Sequence, residues 1–260
     1  MRYHIDTIPV WDAMKLEGEC PLCALRRKLE LGEVERYLCA SVMEPDTRIQ
    51  VNEKGFCSRH HAMLFAASNR LGHALMLHTH LKETEKRLEK PLERAEKAAK
   101  AYTECSLAAR LTAKGQAARK ELEQAARDMA SLGQSCILCD SLQANMDRYV
   151  ATFFHLYEHD ADFRAHLEKS KGFCLPDAAM LMEKAAEFLP AKLVGPFAGL
   201  LASLTRDNLS RMEKDIEWFT LKFDYRNQDK PWGDSKDAVE RTVNKLRGWC
   251  VGAEPNPKEK

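Results

Sequence analysis

The stretch Cys20-Pro-Leu-Cys23 is followed later in the chain by Gly55-Phe56-Cys57-Ser58-Arg59-His60. The same order returns in the second half, as Cys136-Ile-Leu-Cys139 and then Gly172-Phe173-Cys174-Leu175-Pro176-Asp177. The spacing between the two motifs differs by only one position between the halves. An internal duplication explains this agreement far better than coincidence, so we predict two related structural modules.

The similarity between the halves extends beyond the cysteines. Asp46-x-Arg48 precedes the first GFC motif, as Asp162-x-Arg164 precedes the second. Ala62-Met63-Leu64 follows the first, as Ala179-Met180-Leu181 follows the second. This agreement on both sides of each motif supports the duplication.

Helical spacing of apolar residues dominates the rest of the chain. From Ala62 to Tyr102 apolar residues recur close to every seventh position, which is typical of a long helix. Pro91 lies inside this run and is expected to kink or divide it. No stretch shows sustained alternation of apolar and polar residues with β-branched side chains. The sequence therefore predicts an all-α fold.

The chain divides into four expected segments on the basis of motifs and charge. Alternating acidic and basic residues at i,i+4 predict a solvated helical hairpin that joins the two modules, with a turn near Thr112–Gly115. A helical segment rich in tryptophan is expected to pack over the modules. The segments are 1–81 (first module), 82–132 (charged helical hairpin), 133–190 (second module) and 191–260 (C-terminal helices and a disordered tail).

Three cysteines and a histidine in the first module are typical of a closed, tetrahedral zinc site. A Cys-x-x-Cys turn lets two sulfurs converge on one ion. Cys57 and His60 are three positions apart and point the same way if a helix begins near Ser58. We therefore expect Cys20, Cys23, Cys57 and His60 to bind one metal ion, which stabilises the module.

The second module has Asp177 where the first has His60, so its expected ligands are Cys136, Cys139, Cys174 and Asp177. Alternatively, His155 or His159 supplies the fourth ligand, or this site is empty. Aspartate is a harder ligand than histidine and adds a negative charge, so the second site is expected to hold metal more weakly. Lys169 and Lys171 are close enough in sequence to balance that charge.

The identity of the metal stays open at this point. Zinc is favoured by the closed set of four protein ligands. The alternative is an iron–sulfur cluster held by the cysteines. The first reading implies a binding protein with structural metal sites, whereas the second implies a redox or metal-handling protein.

A third hypothesis starts from His155-Leu-Tyr-Glu158-His159, which matches the H-x-x-E-H pattern of some zinc peptidases. In that reading the two histidines would bind zinc and Glu158 would act as a base. The pattern fixes only three positions and is often met by chance. We therefore keep a metallohydrolase as a remote alternative and favour a protein that is not an enzyme.

Composition excludes several other classes. Forty Lys and Arg residues against 39 Asp and Glu residues give a net charge of +1, which argues against a nucleic-acid-binding protein. No apolar run approaches the length of a membrane helix, and the first ten residues are charged where a signal peptide would be apolar. The chain has nine cysteines, an odd number, and six of them have the spacing of metal ligands, which indicates a reducing compartment, the cytoplasm. The expected partner is another protein or a second copy of the chain.

The paired motifs CPLC…GFCSRHH and CILC…GFCLPD, together with FDYRNQDKPWGDSKDAVER (223–241), resemble an uncharacterised bacterial family of helical proteins. That family carries duplicated CxxC…GFCxxH motifs, and the resemblance covers nearly the whole chain. It implies metal binding at both motif pairs but no known activity. In the family pattern the second motif also ends in His, so Asp177 is a departure.

Overall fold

The computed structural model describes residues 4–110 and 113–252, and these residues form an all-α fold without strands. None of the described helices combines the length and the apolar character that crossing a bilayer requires. The helices are α1 (His4–Lys15), α2 (Pro21–Leu38), α3 (Pro45–Lys54), α4 (Ser58–Ala66), α5 (Arg70–Glu104), α6 (Leu107–Arg110), α7 (Ala113–Ser131), α8 (Ile137–His159), α9 (Ala161–Glu168), α10 (Leu175–Phe188), α11 (Ala191–Leu221) and α12 (Ala238–Arg247).

The duplication seen in the sequence is repeated in the order of the helices. Each Cys-x-x-Cys motif begins a long helix, α2 or α8, and each GFC motif precedes another helix, α4 or α10. Asp46 lies in the first turn of α3, and Asp162 lies in the first turn of α9. Helices α2–α5 therefore correspond to helices α8–α11.

The chain forms two compact units. The first unit contains Met1–Leu29 and Gln143–Lys260, and the second contains Glu30–Leu142. Helices α2 and α8 each contribute residues to both units. This division does not coincide with the four segments expected from the sequence, whose boundaries stay predictions.

The core of the first unit is built around Phe153 of α8. Its ring makes edge-to-face contacts with Phe154, Phe163, Phe173 and Phe197, with centroids 5.3 to 6.2 Å apart. All five side chains are almost completely buried. Burial of an aromatic side chain contributes roughly 1.5–3 kcal/mol to stability. This packing fixes Phe173, and with it the loop that carries Cys174.

The core of the second unit holds the other GFC motif in the same way. The ring of Phe56 packs edge-to-face on Tyr37 of α2 at 5.6 Å, and both are buried. Val51, Leu64 and Met76 close the cluster from three further helices. The position of Cys57 therefore depends on the C-terminal part of α2.

Residues 82–132 contain the C-terminal part of α5 and the whole of helices α6 and α7. Helices α5 and α7 pack against each other, and Arg94 pairs with Asp128. Pro91 is buried within α5, which continues as one helix through it. Of the two expected effects of Pro91, division of the helix is therefore wrong, and a kink stays a prediction. The expected turn near Thr112–Gly115 is wrong at Gly115, because α7 begins at Ala113 and contains this glycine. Thr112 and the expected tail beyond residue 252 lie outside the described residues, and the hairpin stays a prediction.

Candidate metal centres

Eight side chains form two clusters whose potential ligand atoms lie within 4.8 Å of one another. Both clusters combine the Cys-x-x-Cys motif of one repeat with the GFC motif of the other. The aspartate cluster, in the first unit, consists of Cys20, Cys23, Cys174 and Asp177. The histidine cluster, in the second unit, consists of Cys57, His60, Cys136 and Cys139. The expectation that each half of the sequence builds its own site is therefore wrong, although the expected residues are the ones that come together.

The length of α2 explains why the first Cys-x-x-Cys motif does not meet the first GFC motif. Cys23 lies in the first turn of α2, whereas Tyr37 near the end of the helix packs against Phe56. A rise of 1.5 Å per residue puts about 20 Å of helix between Cys23 and Tyr37. Phe56 precedes Cys57 directly, so Cys57 is held at the wrong end of the helix for a shared site.

Helix α8 repeats this geometry. Cys139 lies in its first turn, whereas Phe153 contacts Phe173, the residue before Cys174. About 20 Å of helix again separates the two ends. Each long helix therefore presents its cysteines to the GFC motif of the other repeat.

The Cys-x-x-Cys motifs have the same local geometry in both clusters. Cys20 and Cys136 immediately precede α2 and α8. The backbone N–H of Cys23 donates to the Cys20 sulfur at 3.4 Å, and that of Cys139 donates to the Cys136 sulfur at 3.5 Å. The free N–H groups at a helix N-terminus stabilise negative charge, so this position favours thiolates.

The GFC motifs supply the other two ligands from the start of α4 and α10. Cys57 and Cys174 are the N-cap residues of these helices, and His60 and Asp177 lie three positions later, in the first turn. Gly55 has φ 62°, and a Cβ there would lie 2.5 Å from Nε2 of His80. Only glycine combines this backbone conformation with that close approach.

The histidine cluster has the dimensions of a mononuclear tetrahedral site. Cys57 and Cys139 have their sulfurs 3.8 Å apart. Nδ1 of His60 lies 3.3 Å from the sulfur of Cys57, 3.2 Å from that of Cys136 and 3.5 Å from that of Cys139. Zinc bond lengths with tetrahedral angles require about 3.8 Å between two sulfurs and about 3.6 Å between sulfur and nitrogen. The four side chains therefore fit one zinc-sized ion.

The aspartate cluster has matching dimensions. The Cys174 sulfur lies 3.7 Å from the sulfurs of Cys20 and Cys23. Oδ2 of Asp177 lies 3.2 Å from Cys20, 3.5 Å from Cys23 and 3.2 Å from Cys174. This arrangement joins Asp177 to three cysteines, so the alternative fourth ligands His155 and His159 are not needed here.

The two clusters differ in exposure. All four members of the aspartate cluster are buried. In the histidine cluster Cys139 is exposed and Cys57 is partly exposed. A small molecule in solution can therefore approach one cluster more directly than the other.

A family model described as "Family of unknown function (DUF6062)" matches residues 1–253. The chain belongs to this family. The family resemblance proposed from the duplicated motifs is thereby confirmed. Searches of the curated proteins and of the solved structures find no match to this DUF6062 chain.

In this DUF6062 member, a buried carboxylate lies behind the imidazole of His60, within ion-pair distance but without hydrogen-bond geometry. Its Nε2 lies 3.3 Å from Oε1 of Glu30, and Arg59 holds Glu30 through two hydrogen bonds of 2.7 and 2.8 Å. A carboxylate behind a histidine orients the ring and fixes which nitrogen faces the metal. Nδ1 is thereby directed towards the three sulfurs.

Asp177 has a cationic partner in place of that carboxylate. The guanidinium of Arg26 donates to Oδ1 of Asp177 at 2.8 Å, which leaves Oδ2 directed at the sulfurs. Sequence proximity suggested Lys169 and Lys171 for this role, and that suggestion is wrong. The ammonium group of Lys171 lies 4.0 Å from Glu19 instead.

Cys136 and His60 shift each other's pKa. Burial raises the pKa of Cys136, but hydrogen bonds with His60 and with the backbone N–H groups of Cys139 and Cys57 lower that pKa to about 6. The same contact with Cys136, together with Glu30, raises the pKa of His60 to about 10. Without an ion, Cys136 and His60 therefore favour a thiolate–imidazolium pair.

Sequence reasoning missed Arg26 and Glu30. The signal was their spacing from a cysteine: positions 23, 26 and 30 lie on one face of a helix that begins at Pro21. Charged residues on the face that carries a ligand are candidates for outer contacts to the metal site. Only the folded chain shows that Arg26 serves one cluster and Glu30 the other.

The H-x-x-E-H pattern does not form a ligand cluster. Within residues 4–110 and 113–252, neither group with metal-binding geometry contains His155, Glu158 or His159. Nδ1 of His159 instead lies 3.0 Å from the backbone oxygen of His155, and the two rings stack. These contacts lend no support to the metallohydrolase hypothesis.

Proposed function

We propose that this protein binds one zinc ion in each cluster and that both ions are structural. The observation that carries the proposal is the set of ligand-to-ligand distances, which match a tetrahedral site in both clusters. Four protein ligands leave no open position for water or substrate. Sites of this closed type stabilise a fold rather than perform catalysis.

Each zinc ion would join the two repeats of the chain. One ion links the start of α2 to the start of α10, and the other links the start of α8 to the start of α4. Because thiolates and imidazole come together only in the folded chain, the free energy of metal binding adds to that of folding. The ions therefore stabilise the arrangement in which the Cys-x-x-Cys motif of one repeat shares a site with the GFC motif of the other.

We propose a scaffold or interaction role in the cytoplasm, with another protein or a second copy of the chain as the partner. Thiolate ligands need a reducing compartment. The balanced charge, +1 overall, favours a protein partner over nucleic acid. The helical surface built on two rigid metal sites supports binding rather than chemistry.

An iron–sulfur cluster is the competing reading of the same cysteines. Such a cluster places its own iron and sulfide atoms between the ligands, so the ligand sulfurs must stand further apart than around one ion. The separations of 3.7 and 3.8 Å favour a single ion.

Metal analysis of protein purified without oxygen tests the proposal. We expect a colourless protein with two zinc ions per chain. Cys57→Ser should leave one ion and lower the melting temperature, whereas Cys39→Ser, which changes an exposed cysteine outside both clusters, should leave two. A brown protein that contains iron and sulfide, or an unchanged metal content in Cys57→Ser, would contradict the proposal.

A further inference from the structure

The last described segment, Ala238–Val251, lies against the aspartate cluster; we call it the latch. It contains α12, which packs on α10 and α11, and the residues that follow this helix. Lys245 of α12 is almost completely buried. A buried ammonium group is tolerated only where acceptors surround it, so its partners show what this lysine does.

Lys245 connects the two chain segments that supply the aspartate cluster. Its ammonium group donates to the backbone oxygens of Glu19 at 2.9 Å and of Lys171 at 2.5 Å. Glu19 directly precedes Cys20, and Lys171 directly precedes the Gly172-Phe173-Cys174 motif. One side chain therefore holds the two halves of the site together.

The histidine cluster makes the corresponding connection without any third segment. Ser135, which precedes Cys136, donates its hydroxyl to the backbone oxygen of Lys54 at 2.7 Å, and the N–H of Ile137 donates to the backbone oxygen of Gly55 at 3.1 Å. Ser135 and Lys54 occupy the positions that Glu19 and Lys171 occupy in the other cluster. The aspartate cluster thus depends on the latch for a contact that the histidine cluster makes within its own motifs.

The latch also touches the sulfurs themselves. The backbone N–H of Trp249 donates to the Cys23 sulfur at 3.3 Å. Gly248, with φ 83°, comes so close that a Cβ there would lie 3.8 Å from the Cys23 sulfur and 3.9 Å from the Cys174 sulfur. Asn244 holds this turn in place by accepting from the N–H of Cys250 at 2.9 Å.

A cavity of about 600 Å³ lies beside the same cluster. Cys20 and Cys23 line it on one side, and Arg241, Asn244 and Trp249 of the latch line it on another. Both cysteines are nonetheless buried. Movement of the latch would widen this cavity, which has two ligands of the cluster in its wall.

We propose that the latch, Ala238–Val251, controls metal exchange at the aspartate cluster, and that the ion enters and leaves through the adjacent cavity. Lys245 positions the two chain segments that carry the ligands of this cluster. This inference rests on the proposed binding of metal. Lys245 touches no ligand side chain, so it acts through the backbone of the segments that carry Cys20 and Cys174. Exchange at the histidine cluster is independent of the latch.

The test is the release of zinc from the full-length, zinc-loaded protein into an excess of a chromogenic chelator. The parent should release one ion quickly and one slowly, and Cys57→Ser should retain only the slow phase. Lys245→Met removes the donor that two backbone oxygens share, so the slow phase should accelerate about tenfold or more. The fast phase should not change.

Lys222→Met is the matched control. Lys222 is also buried and also donates to backbone oxygens, those of Asn227, Gln228 and Lys230, but it contacts neither cluster. Lys222→Met should lower the overall stability of the protein without changing the slow phase of zinc release. With cobalt in place of zinc, Lys245→Met should also change the visible absorption bands of the ion in the aspartate cluster. A general loss of stability would not change these bands.

Trp249→Ala serves if Lys245→Met does not fold: it keeps the backbone N–H but removes a side chain that lines the cavity, so it should accelerate the slow phase as well. An unchanged slow phase in the folded variant overturns the inference. If the parent protein is purified without metal, the proposed function is contradicted. The rate at which an alkylating reagent modifies Cys20 and Cys23 then tests the latch by itself. Faster alkylation in Lys245→Met than in Lys222→Met supports the latch, and equal rates overturn it.

Discussion

Nε2 of His60 lies 3.3 Å from Oε1 of the buried Glu30, while Nδ1 of the same ring faces three cysteine sulfurs. The corresponding place in the second repeat is occupied by Met146, ten positions after Cys136 as Glu30 is ten positions after Cys20. Met146 is buried in the apolar core of the first unit. The carboxylate is thus present only where the fourth ligand is a histidine that needs orienting.

Glu30→Gln should weaken metal binding at the histidine cluster by about 10- to 100-fold, because the ring loses the carboxylate charge that lies 3.3 Å from its Nε2. Competition with a chelator of known affinity measures the effect. Glu33→Gln is the control, since Glu33 lies on the same helix and pairs with Arg36 rather than with a member of either cluster. Equal affinities in the parent and in Glu30→Gln would show that Glu30 does not support the metal site.

Pairs of cysteine substitutions should identify which ligands share an ion. Cys23→Ser with Cys174→Ser removes two ligands of the aspartate cluster, so one zinc ion per chain should remain. Cys23→Ser with Cys57→Ser damages both clusters, so none should remain. Metal analysis of the two double variants distinguishes this pairing from sites built within each repeat, for which the results would be reversed.

Graded chelation should remove metal from the histidine cluster first. Cys139 is exposed and Cys57 is partly exposed, whereas all four members of the aspartate cluster are buried. A chelator must reach a ligand sulfur before it can displace the ion, so access sets the order. Ligand chemistry alone predicts the opposite order, because aspartate suits zinc beside thiolates less well than histidine. Release measured in Cys57→Ser and Cys174→Ser, which each retain one cluster, assigns the phases.

Asp177→His should reduce the retention of metal, although it restores the family pattern. The new imidazole would meet the guanidinium of Arg26, which now pairs with Asp177 at 2.8 Å, and would find no carboxylate behind it. Asp177→His with Arg26→Met removes that cation and should recover part of the loss. Release kinetics of the two variants against the parent test this expectation, and faster release from the double variant than from Asp177→His would contradict it.

The sequence by itself determined the all-α class, the duplication and the chemistry of the two candidate sites. These features are local: apolar periodicity specifies a helix, a Cys-x-x-Cys turn brings two sulfurs together, and Cys57 and His60 lie on one side of a helix start. The structure adds that the two glycines of the repeated motif, Gly55 and Gly172, share a positive φ of 62° and 67°.

Only the tertiary structure decided which motifs share an ion and what surrounds them. The pairing depends on the length of α2 and α8, because the two ends of each helix belong to different hydrophobic cores. The contact of Lys245 with Glu19 and Lys171 joins positions that are distant in sequence, and no local pattern specifies it. Long-range packing, rather than motif spacing, therefore assigns the aspartate cluster and its latch to one unit and the histidine cluster to the other.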